Sequence, residues 1–172
     1  MKKAAPKASG PGKQPVHDLA ETEAGILARR HLLLGWWFML AFLTLGIVLE
    51  TLHGFKSGWY LSVANANRRL LLTLAHAHGA LLGLAQIGFA FALANLTTWE
   101  PANRRLAANC LLGAGVLIPC GFLLGGLNIY AGDPGVGLVM VPAGALLLMM
   151  AAWFTARAAR SRQTQPPAFP AP

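Results

Sequence analysis

Four apolar runs, separated by short polar stretches, divide this chain. Leu32 to Leu52, Leu70 to Leu96, Leu106 to Ile129 and Leu138 to Thr155 carry almost no charge. Each matches or approaches the ~20 apolar residues that a helix needs to cross the hydrocarbon core of a bilayer. The stretches between them hold charged and turn-forming residues, including Pro101 and the run Asp133-Pro134-Gly135. This pattern predicts an all-α, polytopic membrane protein, a bundle of four transmembrane helices in which short connections make sequential helices antiparallel neighbours. The second run is long enough to tilt or protrude. In the glycine-rich third run, Pro119 predicts a kink and Gly121-x-x-x-Gly125 predicts a close packing face.

The flanks are different. Residues 1–17 are rich in Lys, Pro, Gly and Ala, a composition that favours disorder. Asp18 and Glu21 have the spacing of a capping box. They predict a short helix that lays Leu19, Ile26 and Leu27 at the membrane surface before Arg29-Arg30. The expected organisation is a basic tail with a short surface helix (1–30), a transmembrane domain (31–157) and a disordered Pro-rich tail (158–172). Trp36 and Trp37 near one end of the first span, and Trp59 and Tyr60 beyond the other, fit two aromatic belts.

Composition agrees. The chain is 55% hydrophobic and 12% charged, against about a quarter charged in soluble domains. A net charge of +8 raises nucleic acid as a partner, but the cations flank apolar runs instead of forming an aromatic-interleaved patch. They act as topogenic signals and attract anionic lipid. Eleven of the fourteen Lys and Arg residues fall before the first span, between the second and third, or after the fourth. Only Lys56, Arg68 and Arg69 fall elsewhere. That bias predicts a multi-pass protein of the inner (cytoplasmic) membrane with both termini cytoplasmic. The expected partners are the lipid bilayer and, as open alternatives, other membrane subunits or a second copy of the chain. Cys110 and Cys120 lie about 15 Å apart along a helix, too far for a mutual disulfide.

Ionisable groups inside a span are functional candidates, because water is absent there. His76 and His78 lie about 9 and 12 Å below the outer end of the second run, and Glu50 about 6 Å below that of the first. His53 is close to the edge. Glu50, His53, His76 and His78 therefore form a candidate metal set in the outer leaflet, with Asn128 and Tyr130 nearby. Glu50 and His53 share a helix face. His76 and His78 point about 200° apart, so one ordinary helix does not present both to one ion. His76 shares its side with Ala80 and Gly83, which makes it the inward-facing ligand. His78 shares its side with Leu82, Ala85 and Phe89. Gln86 and Asn95 read as packing polars. Phosphate-cradling loops and hydrolase motifs do not occur.

The run His76-Ala77-His78-Gly79-Ala80-Leu81-Leu82-Gly83 resembles the H-A-H-x-x-L-L-G pattern of small four-helix bacterial membrane proteins. Those are distantly similar to the catalytic subunit of haem–copper oxidases and nitric oxide reductases. The resemblance implies that His76 or His78 is a haem ligand toward the outer side of the membrane. The rest of that catalytic machinery has no counterpart here, since the third and fourth runs contain no histidine. Catalysis by this chain alone is not expected.

Two functions follow as expectations. One is an outer-leaflet histidine and glutamate site holding haem or a transition-metal ion for electron transfer, sensing or oxidase-related assembly. The other is a non-catalytic structural or interaction subunit whose histidines only hydrogen-bond between helices. A small transporter fits less well, because no charged pathway continues to the cytoplasmic side. The orientation has a direct check. A cytoplasm-dependent reporter fused after Arg162 is expected to be active, and an inactive fusion would reverse the topology.

Overall fold

The computed structural model describes the backbone of residues 16–96 and 99–163 and the side chains of residues 23–96 and 99–160. Its elements are α1 (Val16–Gly54), α2 (Gly58–Leu61), α3 (Ala66–Asn95), α4 (Pro101–Leu127) and α5 (Met140–Gln163), with single 3-10 turns at Val63–Asn65 and Val136–Val139. Four of these helices are long and apolar enough to cross a membrane. Among the described residues there is no strand, only one bridge between Tyr130 and Asp133.

All four long helices overrun, at one end or both, the apolar stretches that predict them. α1 passes through Arg29-Arg30 without a break, where a separate surface helix was expected. Its 39 residues make a rod of about 58 Å, roughly twice a bilayer core. Two contacts hold the extension. Leu27 and Ala28 pack on the core at that end. Glu23 pairs with Arg104 (3.3 Å) and Arg105 at the start of α4. The capping-box side chains Asp18 and Glu21 lie outside the described residues. α5 likewise runs on to Gln163, so Arg157 and Arg160 are helical.

Sequential long helices pack antiparallel. Gly35 of α1 meets Gly83 and Ile87 of α3, while Gly46 of α1 meets His76. Gly115 of α4 meets Gln86 of α3, while Gly126 meets Leu71 and Leu72. Gly121 of α4 meets Val141, and Gly144 of α5 meets Ile118. A Cβ on Gly35 would stand 2.7 Å from the Gly83 carbonyl oxygen, so the absence of a side chain is what lets these two backbones touch. Gly121 and Gly125 face the segment leading into α5, the packing role their spacing predicts. The central pair, α3 and α4, are about half buried over their apolar windows (44% and 50%), whereas α1 and α5 are 11% and 17% buried. Most residues in the apolar windows of the outer helices are therefore left uncovered by the rest of the bundle. The turn before α5 falls at Tyr130–Asp133, with Ala131 and Gly132 at φ 50° and 86°, slightly ahead of the Asp133-Pro134-Gly135 turn.

One polar chain crosses three helices inside this apolar core. His31 on α1 donates from Nδ1 to Oε1 of Gln86 on α3, and Gln86 Nε2 donates to the Leu111 carbonyl of α4 at 3.0 Å. His31 and Gln86 are fully buried, and the His31 ring meets Phe89 edge-on at 4.8 Å. Gln86→Leu would leave the imidazole buried without its acceptor, at about 1–3 kcal/mol. Asn95 instead bonds to the Phe91 carbonyl of its own helix at an exposed site. Unfolding in mixed micelles should show that loss for Gln86→Leu and almost none for Asn95→Ala. Equal effects would mean that the three-helix chain adds no stability.

Candidate functional site

α3 carries both histidines of the motif and directs them to different neighbours. His76 sits against α1. Its Nδ1 donates to the Phe42 carbonyl at 2.7 Å, and its ring packs against Gly46, where a Cβ would collide with ring atoms. Two further α3 glycines, Gly79 and Gly83, meet Phe42 and Met39 of α1. One stripe of α3 thus holds His76 and the small residues that bring α1 close. His78 sits against α4. Its Nδ1 donates to the Leu74 carbonyl one turn back at 2.9 Å, and its ring centroid is 5.0 Å from that of Phe122. The two imidazoles do not share a centre.

Between α1 and α3 is a cleft of about 560 Å³ lined by Leu43, Gly46, Ile47, Leu49, Glu50, Thr51, Tyr60, Thr73 and His76. It lies at the distal end of the bundle, opposite the end that holds Val16 and Gln163. Its walls are apolar with a few polar groups, and its size falls in the usual range for small-molecule sites. Tyr60 reaches it because α2 turns that residue inward, where it is buried against Leu49 and Leu72. Thr73 is one turn from His76, on the same face of α3. Thr51 donates to the Ile47 carbonyl at 2.8 Å.

Of the four candidate ligands, Glu50 and His76 line the cleft, Glu50 at an exposed position. His53, in the last turn of α1, is exposed and does not line it. Asn128 bonds back to the Leu124 carbonyl (3.3 Å), and Tyr130 is exposed in its turn, so neither reaches the cleft. Among the described residues, no three His, Cys, Asp or Glu side chains gather to hold a metal ion. Cys110 and Cys120 are both free thiols.

The chemistry available centres on His76. An imidazole that donates Nδ1–H to a backbone carbonyl is held in one orientation, with its Nε2 edge turned away from that bond. No described group hydrogen-bonds that Nε2. This is how a protein presents a histidine to a metal centre. One nitrogen donor and one carboxylate suit an open site or a single axial ligand, and do not make a closed metal cage.

Sequence reasoning missed His31 and Tyr60. His31 follows two arginines and reads as part of an interfacial basic cluster. Its signal was the fully apolar setting of Gln86, a group that must find a partner. Tyr60 reads as a belt residue, and only the four-residue α2 reveals that Trp59 and Tyr60 point different ways.

No known protein family, curated protein or solved structure matches this chain.

The close packing of His76 on Gly46 can be tested by a double-mutant cycle. Gly46→Ala should cost about 1–3 kcal/mol by overpacking the ring. In a His76→Ala background the same change should become neutral or stabilising, because alanine is the better helix former by about 1 kcal/mol. An unchanged penalty would mean that the ring does not occupy this seat.

Proposed function

We propose that this chain is an inner-membrane protein with both termini cytoplasmic that holds a haem or a transition-metal ion at the His76–Glu50 cleft. It serves electron transfer, sensing or oxidase-related assembly. The observation that carries this reading is the state of His76. Its Nδ1 is committed to the Phe42 carbonyl, Nε2 has no partner among the described residues, and the residue lines a cleft large enough for a ligand.

The donor set fits such a group in a limited way. His76 is the protein ligand, with Glu50 as second donor for a bare ion or as a nearby negative charge. The Phe42 carbonyl orients the imidazole. Gly46 leaves room for the ring. Leu43, Ile47 and Leu49 supply apolar wall. When bound, the group would supply one-electron chemistry that no side chain here provides. His78 faces α4 and belongs to a different environment, so this reading assigns it packing.

The second reading is a structural or interaction subunit. It is favoured by the hydrogen bonds of His31, His76 and His78 to protein acceptors and by the largely uncovered surfaces of α1 and α5. Absorption spectroscopy and metal analysis of detergent-purified protein, expressed with haem and iron supplied, separate the two. The proposal expects a Soret band or stoichiometric metal. His76→Ala should lower bound cofactor at least about tenfold, and His78→Ala should leave it unchanged. Absence of both signals in the wild-type protein selects the subunit reading, and loss on His78→Ala alone would move the ligand.

A further inference from the structure

The segment from Phe55 to Arg69 is the one interhelical connection at the distal end that carries cations. It holds Lys56, Arg68 and Arg69 and no Asp or Glu. These three run against the charge bias of the rest of the chain. None makes an ion pair among the described residues.

Arg68 is the fixed member. It lies in the first turn of α3 and is only 8% exposed. Its Nη1 donates to the Trp59 carbonyl at 2.9 Å, and its guanidinium carbon stacks over the Trp59 ring, 4.5 Å from the centroid. These contacts order the side chain without neutralising it. Its Nε is buried with no acceptor. A charge so placed calls for an anion close by.

Arg69 and Lys56 are exposed. Lys56 sits at φ 51°, a left-handed position ending α1 that glycine fills at less cost. The first turn of α3 adds uncapped N–H groups, since Asn65 makes no side-chain cap and no acid follows it. Around these charges stand bare apolar side chains. Phe55 is 85% exposed, Val63 93% and Trp59 46%. A free phosphate in water would leave them bare, whereas a bilayer surface covers them.

We propose that the α1–α3 connection and the first turn of α3 form a platform for the headgroup of an anionic phospholipid. Arg69 and Lys56 contact the phosphate, Arg68 held by Trp59 supplies the fixed charge behind them, and Phe55, Val63 and Trp59 enter the interfacial layer. Tyr60 links this platform to the cleft, because α2 carries Trp59 and Tyr60 side by side and Tyr60 lines the cleft wall. The platform stands independently of any cofactor there.

The test is native mass spectrometry of the full chain released from micelles containing phosphatidylglycerol and phosphatidylcholine. The wild-type protein should retain phosphatidylglycerol preferentially. The double variant Lys56→Gln/Arg69→Gln changes only exposed side chains, so its fold should persist. It should lose about fivefold in that preference per cation removed, the change that corresponds to ~1 kcal/mol for each charge near a membrane surface. Arg157→Gln/Arg160→Gln removes the same charge from the other end of the bundle and should retain the preference. No preference in the wild-type protein, an unchanged preference in the first variant or equal losses in both would overturn the platform. Displacement of the lipid by inorganic phosphate would also overturn it and indicate a free-phosphate site.

Discussion

An imidazole or amide surrounded by hydrocarbon must find a hydrogen-bond partner in the protein, because no water is there to supply one. The packing of α3 is organised by that constraint. On one stripe it presents His76 to the Phe42 carbonyl of α1. Two to three turns on it presents Gln86 to both His31 of α1 and the Leu111 carbonyl of α4. α1 is therefore tied to α3 at two depths, and α4 is tied at one of them. The glycines between these points let the backbones come near enough for the bonds to form. Neither the bonds nor the close approach would persist alone. Packing in a membrane lacks the hydrophobic drive of soluble cores, and a single interhelical bond contributes on average about 0.6 kcal/mol.

The same constraint explains why α1 is so long. Its apolar surface is little buried, so the span alone would be free to rotate and tilt. The polar ties fix its rotation, and its extension is fixed again by Glu23 against the two arginines of α4. Contacts at three heights thus define a helix whose face toward lipid is large.

The architecture was legible because transmembrane helices have a stringent signature, a length of uncharged residues set by bilayer thickness. Their ends were less legible. Charge marks where a helix leaves hydrocarbon, not where it stops. Arg29-Arg30 and Arg157 read as ends, yet backbone hydrogen bonding continues through them, since long cationic side chains reach the interface from a helix. The divergence of His76 and His78 followed from 100° per residue alone. Which neighbours they meet did not follow, because that depends on how α1 and α4 rotate, and the apolar stripes on those helices run nearly all round. His31 was hidden for a related reason. A histidine beside two arginines has the pattern of an interface, and its burial arises from Phe89 and Gln86, 55 residues or more along the chain.

The motif's two histidines make the same local bond with opposite consequences. Each donates Nδ1–H to a backbone carbonyl. For His78 the acceptor is in its own helix, so the bond fixes a rotamer and transmits nothing between elements. For His76 the acceptor is in α1, so the ring's orientation is coupled to the spacing of two helices, and Gly46 makes that spacing short. A change in the separation of α1 and α3 must therefore move the imidazole or break its bond, and anything that grips Nε2 must resist that separation. The cleft and the helix interface are therefore mechanically one object, with His76 in the wall of both.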